Sequence, residues 1–305
     1  MKIQGTFTAL VTPFDGNDHL DEVGLRANIR YQQQHGIDGI VLLGTTGETP
    51  TLSDKEQEKI LSIGREEISG KSLFIAGTGN YSTSKTVEAT RKAKELGADA
   101  ALIVTPYYNR PTQEGMYRHF STIADAVDIP IIVYSVQSRT GQNLTVDTLL
   151  RLAKIPNIVS VKEASGNILQ IADVIGSVKG IRADFTVLSG DDNLALPVIA
   201  YGGDGLISVA SNLFPAAVKQ LVNACMSNRM EEARDLHYQL LPFFKAIFVE
   251  TNPIPIKAAM NWSGLPAGEC RLPLCPLLPE SARFLRNILE KTLSLFPQEV
   301  YIDSQ

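Results

Sequence analysis

Gly36-Ile37-Asp38-Gly39-Ile40-Val41-Leu42-Leu43 recurs in outline at Gly97-Ala98-Asp99-Ala100-Ala101-Leu102-Ile103-Val104, and again at Gly203-Asp204-Gly205-Leu206-Ile207-Ser208-Val209. Each copy reads as a helix ending on glycine, a tight turn, then a short apolar strand. Glycine suits the left-handed position after a helix because it has no Cβ to clash there. Other apolar runs of strand length lie at 7–11, 73–76, 131–134, 158–161 and 185–188. They are continuous rather than alternating, as expected for parallel strands covered on both faces. Helical segments separate them: Ser53-Asp54-Lys55-Glu56 has the form of a capping box, and Ile60, Leu61, Ile63 and Ile68 follow at helical spacing. Eight strand–helix alternations predict an α/β fold, a closed (β/α)8 TIM barrel, with an open doubly wound sheet as the alternative.

The barrel should close near Cys225. Residues 1–225 are expected to form the catalytic barrel and 226–305 a C-terminal helical region: a helix over 230–249, a proline-rich stretch over 253–279, a last helix over 281–295 and a polar tail over 297–305. A barrel of this type takes about 200–250 residues, so a 305-residue chain leaves room for that extension. With 44% hydrophobic and 20% charged residues the composition is that of an ordinary globular protein. A net charge of −5 disfavours a nucleic-acid partner, which would select a basic face. Nothing near Met1 resembles a secretory leader, and no apolar run reaches the ~18–20 residues that span a membrane. Cys225, Cys270 and Cys275 are too few for a disulfide framework, and Cys270 and Cys275 lack a second Cys/His pair for metal, so a reducing cytoplasm is expected.

In such a barrel, functional groups gather at the C-terminal ends of the strands. Strand two runs into Gly44-Thr45-Thr46-Gly47-Glu48, strand four into Thr105-Pro106-Tyr107-Tyr108-Asn109, and strand seven into Ser189-Gly190-Asp191-Asp192. Strand five ends on Tyr134 and strand six on Lys162-Glu163. Hydroxyls and one lysine dominate. Alternation places Ser160 and Lys162 on the face opposite Val161. Lys162 could simply reach solvent from the strand end. If it points into the barrel mouth, desolvation lowers its pKa and frees a nucleophilic amine, which with a carbonyl substrate forms an imine, an electron sink. Tyr134 ends the neighbouring strand and is either a rim aromatic or a proton shuttle, since a phenol both donates and accepts. The Gly44–Glu48 loop offers backbone N–H groups and hydroxyls that suit a phosphate or a carboxylate, without the Lys-Ser/Thr ending of a P-loop. For Asp191 and Asp192, a helix N-cap role for one of them is favoured over metal binding.

Taken together, these residues resemble the dihydrodipicolinate synthase family, within the pyruvate-dependent aldolases that include N-acetylneuraminate lyase. The resemblance covers nearly the whole chain. It rests on Gly44-Thr45-Thr46-Gly47-Glu48, Pro106-Tyr107-Tyr108-Asn109-Arg110-Pro111, Val161-Lys162-Glu163-Ala164 and Ser189-Gly190-Asp191-Asp192, with Asn252-Pro253-Ile254-Pro255-Ile256-Lys257 and Arg271-Leu272-Pro273-Leu274 towards the end. It implies that Lys162 forms a Schiff base with pyruvate, and that Tyr134, Thr45 and Tyr108 make a proton relay, Tyr108 crossing a dimer interface into a partner's site. It further implies that Thr46 and the backbone near Ile207 hold the pyruvate carboxylate. Gly190 would face the second substrate, L-aspartate 4-semialdehyde, and Arg139 would take its carboxylate through the guanidinium fork.

The implied function is that family's condensation in diaminopimelate and lysine biosynthesis, by a homotetramer built from dimers. No metal, nicotinamide or flavin is implied, because the lysine amine supplies the electron sink. Other readings are a pyruvate-dependent lyase acting on a sugar acid or hydroxy-keto acid, and a non-catalytic barrel that only binds. The chain departs from the family's usual Tyr-Asn-Val-Pro-Gly-Arg-Thr-Gly, reading Tyr134-Ser135-Val136-Gln137-Ser138-Arg139-Thr140-Gly141. Where lysine-inhibited relatives carry a histidine, an asparagine and a glutamate, the aligned residues are Asp54, Tyr81 and Lys85. A cation thus replaces the acidic anchor for the effector's amine, and inhibition by lysine should be weak or absent.

Overall fold

The structure, a computed structural model, describes residues 2–70 and 72–297. The chain alternates β1 (Gly5–Ala9), α1 (Glu22–Gln34), β2 (Gly39–Leu42), α2 (Asp54–Glu67), β3 (Leu73–Gly77), α3 (Thr83–Glu95), β4 (Ala100–Val104) and α4 (Gln113–Ala126). It continues with β5 (Ile131–Ser135), the single turn α5 (Gln137–Thr140), α6 (Val146–Leu152), β6 (Ile158–Glu163), α7 (Ile168–Ile181), β7 (Thr186–Ser189), α8 (Ala195–Ala200), β8 (Gly205–Ser208) and α9 (Pro215–Met226). Among the described residues the eight strands close in sequence order, β1 pairing in parallel with both β2 and β8. That closure settles the TIM barrel over the open sheet.

Strand β2 divides its side chains between two cores. Val41 of β2 points inward with Phe7, Ile75, Leu102 and Ile207. Its neighbours Ile40 and Leu42 point outward against Ile60, Leu61 and Ile63 of α2. Burying such a side chain contributes about 1.5–3 kcal/mol, so both faces hold the barrel shut. Helix α2 begins as expected, with Ser53 and Glu56 in a reciprocal capping box.

The repeated Gly-x-Asp turns out to be a latch between strands. Asp38 donates its N–H to the Thr6 carbonyl at 3.0 Å and accepts the Thr6 N–H on its carboxylate at 2.9 Å. Asp99 does the same to Phe74, and Asp204 to Val187. Each aspartate thereby clips the strand it precedes to the start of the previous strand. The glycine places the turn: Gly36 and Gly97 have φ of 69° and 87°. In the third copy Gly202 takes the left-handed position with φ 100°, one residue earlier than the sequence pattern suggests.

Beyond the barrel lie α10 (Met230–Ala246), α11 (Ile254–Trp262) and α12 (Pro279–Leu295). They share one core with α9, in which Phe214 meets Phe243 edge-on at 4.8 Å between ring centroids. The stretch expected to be merely proline-rich contains α11. Its prolines sit at the helix start, where the missing N–H has no intrahelical partner to lose. The strand over 7–11 is also displaced, ladder pairing ending at Ala9 because the Val11 N–H turns to the Asn212 side chain at 3.0 Å. Of the expected polar tail, residues 298–305 lie outside the described residues. No helix among the described residues is long and apolar enough to cross a membrane.

Candidate active site

The strand that carries Lys162 has one residue more than its neighbour. Ile131 pairs with Ile158, but Ile132 pairs with Ser160, leaving Val159 as a bulge. Ile158 faces the outer core beside Ile131, and Val161 beside Val133. With strict alternation an outward Ile158 would force Lys162 outward too. The bulge shifts the parity by one and turns Lys162 into the barrel mouth, opposite Tyr134 on β5. Lys162 is 6% exposed, with Nζ 4.2 Å from the Tyr134 ring centroid.

Burial dominates the electrostatics of this pair. It pulls the Lys162 ammonium down to about 8 against the attraction of Asp192 and Asp191, and Arg139 pushes the same way as burial. Burial also drives the Tyr134 phenol up to about 12, although Arg139 and a hydrogen bond with the Thr45 side chain both oppose it. Near neutrality the site therefore offers a readily released amine proton beside a phenol that keeps its own. Asp191 is raised to about 6 by burial and by its neighbour Asp192.

A cavity of about 780 Å³ opens over Lys162, walled by the barrel mouth and by the Phe248–Asn252 segment that leaves α10. Tyr134, Thr45, Thr46, Arg139 and Gly190 all line it. Thr45, Thr46 and Gly47 form one 3-10 turn that ends on Glu48 in the left-handed region, φ 54°. Arg139 rides on the α5 turn, and its Nη2 donates to the Asn252 carbonyl at 3.2 Å. The unusual Gln137 and Ser138 fit there. Gln137 is the first residue of a right-handed turn, a place that suits proline but does not require it, and Ser138 keeps a negative φ.

Ile207 and Tyr108 stand apart from the cavity. Ile207 is packed in the barrel interior, and Val209 lines the cavity in its place. Tyr108 is 91% exposed on a turn where it and Arg110 both have positive φ. Of the acidic pair, Asp191 does stand at the N-cap position of a single 3-10 turn, Asp192–Leu194. Asp191 makes no side-chain cap bond, and buried Asp192 accepts from the Ser208 hydroxyl and from the Val209 and Ala210 N–H groups, pinning the end of β8. Two further features had no role assigned from sequence: Asn252, whose Nδ2 donates to Thr46 Oγ1 at 3.0 Å, and a buried Glu48–Lys257 ion pair at 2.8 Å. The signal was an asparagine and a lysine in an otherwise apolar helix start.

Gly190 has a steric reason to lack a side chain. A Cβ there would lie 2.7 Å from the Ala164 Cβ and 3.0 Å from the Lys162 Cε. Gly190→Ala should displace the amine and lower kcat/KM by about 10²-fold, the scale of a 1 Å misplacement. It should also cost about 1–3 kcal/mol of stability from overpacking. Steady-state kinetics with denaturant melts check both, and unchanged kinetics would refute the steric account.

The sequence profile of the dihydrodipicolinate synthetase family matches residues 2–292. This chain belongs to that family. A 4-hydroxy-tetrahydrodipicolinate synthase from Protochlamydia amoebophila is 53% identical over 299 residues, 98% of each chain. The dihydrodipicolinate synthase of Thermotoga maritima superposes with a TM-score of 0.93 at 43% identity, over 96% of this chain and 99% of its own. The chloride-inhibited dihydrodipicolinate synthase of Acinetobacter baumannii, solved with pyruvate, superposes at 0.92 with 40% identity, over 95% and 99%. For a dihydrodipicolinate synthetase family member, the buried amine and the hydroxyls grouped around it are groups suited to imine chemistry on a keto acid.

Proposed function

We propose that this chain condenses pyruvate, held as a Schiff base on Lys162, with L-aspartate 4-semialdehyde: the 4-hydroxy-tetrahydrodipicolinate synthase reaction of diaminopimelate and lysine biosynthesis. The observation that carries the reading is the amine of Lys162, shut into the barrel mouth 4.2 Å from the Tyr134 ring centroid. The neutral amine adds to the keto carbon and water leaves, giving a protonated imine. A methyl proton is then lost, and the resulting enamine carbon attacks the semialdehyde. The substrate's own amine displaces Lys162 as the ring closes. Tyr134 and Thr45 move the protons, Thr46 holds the pyruvate carboxylate with the backbone just past Ile207, where Val209 lines the cavity, and the second substrate lies by Gly190 with its carboxylate on Arg139.

Tyr108 completes the relay from a neighbouring subunit, in a homotetramer assembled from dimers. Its 91% exposure on a turn braced by the Asn109 bond to the Tyr81 carbonyl, at 3.1 Å, supports delivery outward. The chain works in the cytoplasm, in keeping with three unpaired cysteines. Residues 1–225 act as the catalytic barrel, and within the C-terminal region 226–305 the Phe248–Asn252 segment walls one side of the mouth. The sugar-acid alternative is not favoured, since relatives matching 94–98% of the chain carry the synthase name.

Arg139→Ala separates the two half-reactions. It should leave borohydride trapping of pyruvate intact and lower kcat/KM for the semialdehyde by about 10²-fold, the loss of a charge-assisted fork. Equal loss in both would refute the assignment. Inhibition by L-lysine should be weak or absent, since Lys85 stands where an acidic anchor is needed. Steady-state inhibition at submillimolar lysine would overturn that.

A further inference from the structure

The geometry points to Asn252 as a positioning residue that aims the Thr46 hydroxyl at the pyruvate carboxylate. The inference rests on the reading of Thr46 given above and adds the group that makes Thr46 a donor. Asn252 is 4% exposed, in the segment joining α10 to α11, and it lines the cavity. Its Nδ2 donates to Thr46 Oγ1 at 3.0 Å. An amide nitrogen only donates, so at this contact the hydroxyl must accept. Thr46 is itself 3% exposed, and among the described residues its hydroxyl proton meets no protein acceptor. With a lone pair engaged by Asn252, that proton remains for an acceptor inside the cavity, and a carboxylate accepts without donating.

Other contacts hold the asparagine in place. Its main-chain carbonyl accepts from Arg139 Nη2 at 3.2 Å, and five residues on, Lys257 is locked to Glu48 beside the Thr45–Gly47 turn. The Asn252 Oδ1 is buried with no partner, so among its side-chain bonds only the one to Thr46 orients the amide. A hydroxyl left without this donor could rotate, and its bond to a carboxylate would have to be ordered at the moment of binding.

The test compares Asn252→Ala, Asn252→Asp, Thr46→Val and the double variant Asn252→Ala/Thr46→Val in the full-length enzyme. The readout is the concentration giving half-maximal borohydride trapping, with pyruvate and with acetone, a ketone that has no carboxylate. Asn252→Ala and Thr46→Val should each raise the pyruvate concentration by about tenfold, the scale of one hydrogen bond to a charged group. The double variant should be no worse than Thr46→Val alone, and acetone should trap within about twofold of the parent in every variant. Asn252→Asp, nearly isosteric, should be at least as damaging as alanine, because its carboxylate would accept the Thr46 proton instead of releasing it to the substrate. This variant also keeps the test open if the alanine protein fails to fold.

Additive effects in the double variant would show that Asn252 acts apart from Thr46 and would overturn the proposal. So would an equal loss with acetone, which would mean a disturbed Lys162. An aspartate variant with parental pyruvate affinity would show that the amide accepts rather than donates, with the same consequence. If Thr46→Val alone left pyruvate affinity unchanged, the carboxylate role of Thr46 and this inference would fall together.

Discussion

Replacing Lys162 with alanine should abolish borohydride-trapped pyruvate and reduce turnover by on the order of 10⁴-fold or more, the scale of losing a covalent nucleophile. Lys245 also lines the cavity, but it is the Lys162 amine that lies against Tyr134. Tyr134 keeps its proton to about 12, and among the described residues Lys162 is the one lysine within the barrel mouth whose amine lies over that phenol ring. The same geometry fixes the pH dependence. Burial lowers the Lys162 ammonium to about 8, so the fraction of free amine rises roughly tenfold per pH unit below that value and levels off above it. The rate of pyruvate capture by free enzyme should therefore climb to near pH 8 and then flatten. A limb still rising at pH 10 would mean a solvated amine, and residual trapping in the alanine variant would mean a different nucleophile.

The second large effect is on stability. Lys257 and Glu48 are among the most deeply buried charges in the chain, their side chains 2% and 1% exposed. Lys257 Nζ donates to Glu48 and to the carbonyls of Thr12 and Glu269, each at 2.8–3.0 Å. Desolvation lowers the Lys257 ammonium, and the charge of Glu48 opposes that shift. Lys257→Met preserves most of the volume but leaves a buried carboxylate and two carbonyls without their donor. It should cost about 3–5 kcal/mol of unfolding free energy, as breaking one side of a buried pair does. Adding Glu48→Leu should recover part of it, since removing both charges costs less than removing one. Urea melts of the parent and the two variants test this. A loss under about 1 kcal/mol for Lys257→Met would show that the pair is solvated.

How much of this could be read without coordinates depended on whether the cause was local. The Gly-x-Asp repeat and the continuous apolar runs are local signals of a parallel barrel, and they led to it. That Lys162 and Tyr134 stand at strand ends around one mouth was legible, but not that Lys162 turns inward, which depends on the Val159 bulge. The roles of Asn252, Lys257 and Asp192 were not legible either, because their partners are distant in sequence: Thr46 lies 206 residues from Asn252, and Glu48 209 from Lys257. One of the adjacent acids Asp191 and Asp192 looked like a helix cap, yet Ser208 at the end of the next strand and Val209 just after it claimed Asp192. Helix α11 was hidden by prolines that mark its first turn rather than break it.

The supernumerary Val159 makes the chemistry a matter of counting. Whether residue 162 serves the solvent-free interior or the outer shell depends on an odd or even number of steps from Ile158, not on which residues fill them. Substitutions along this stretch leave that count untouched, whereas losing or gaining a single position would hand the reactive amine to the apolar packing layer and present its neighbour to the substrate.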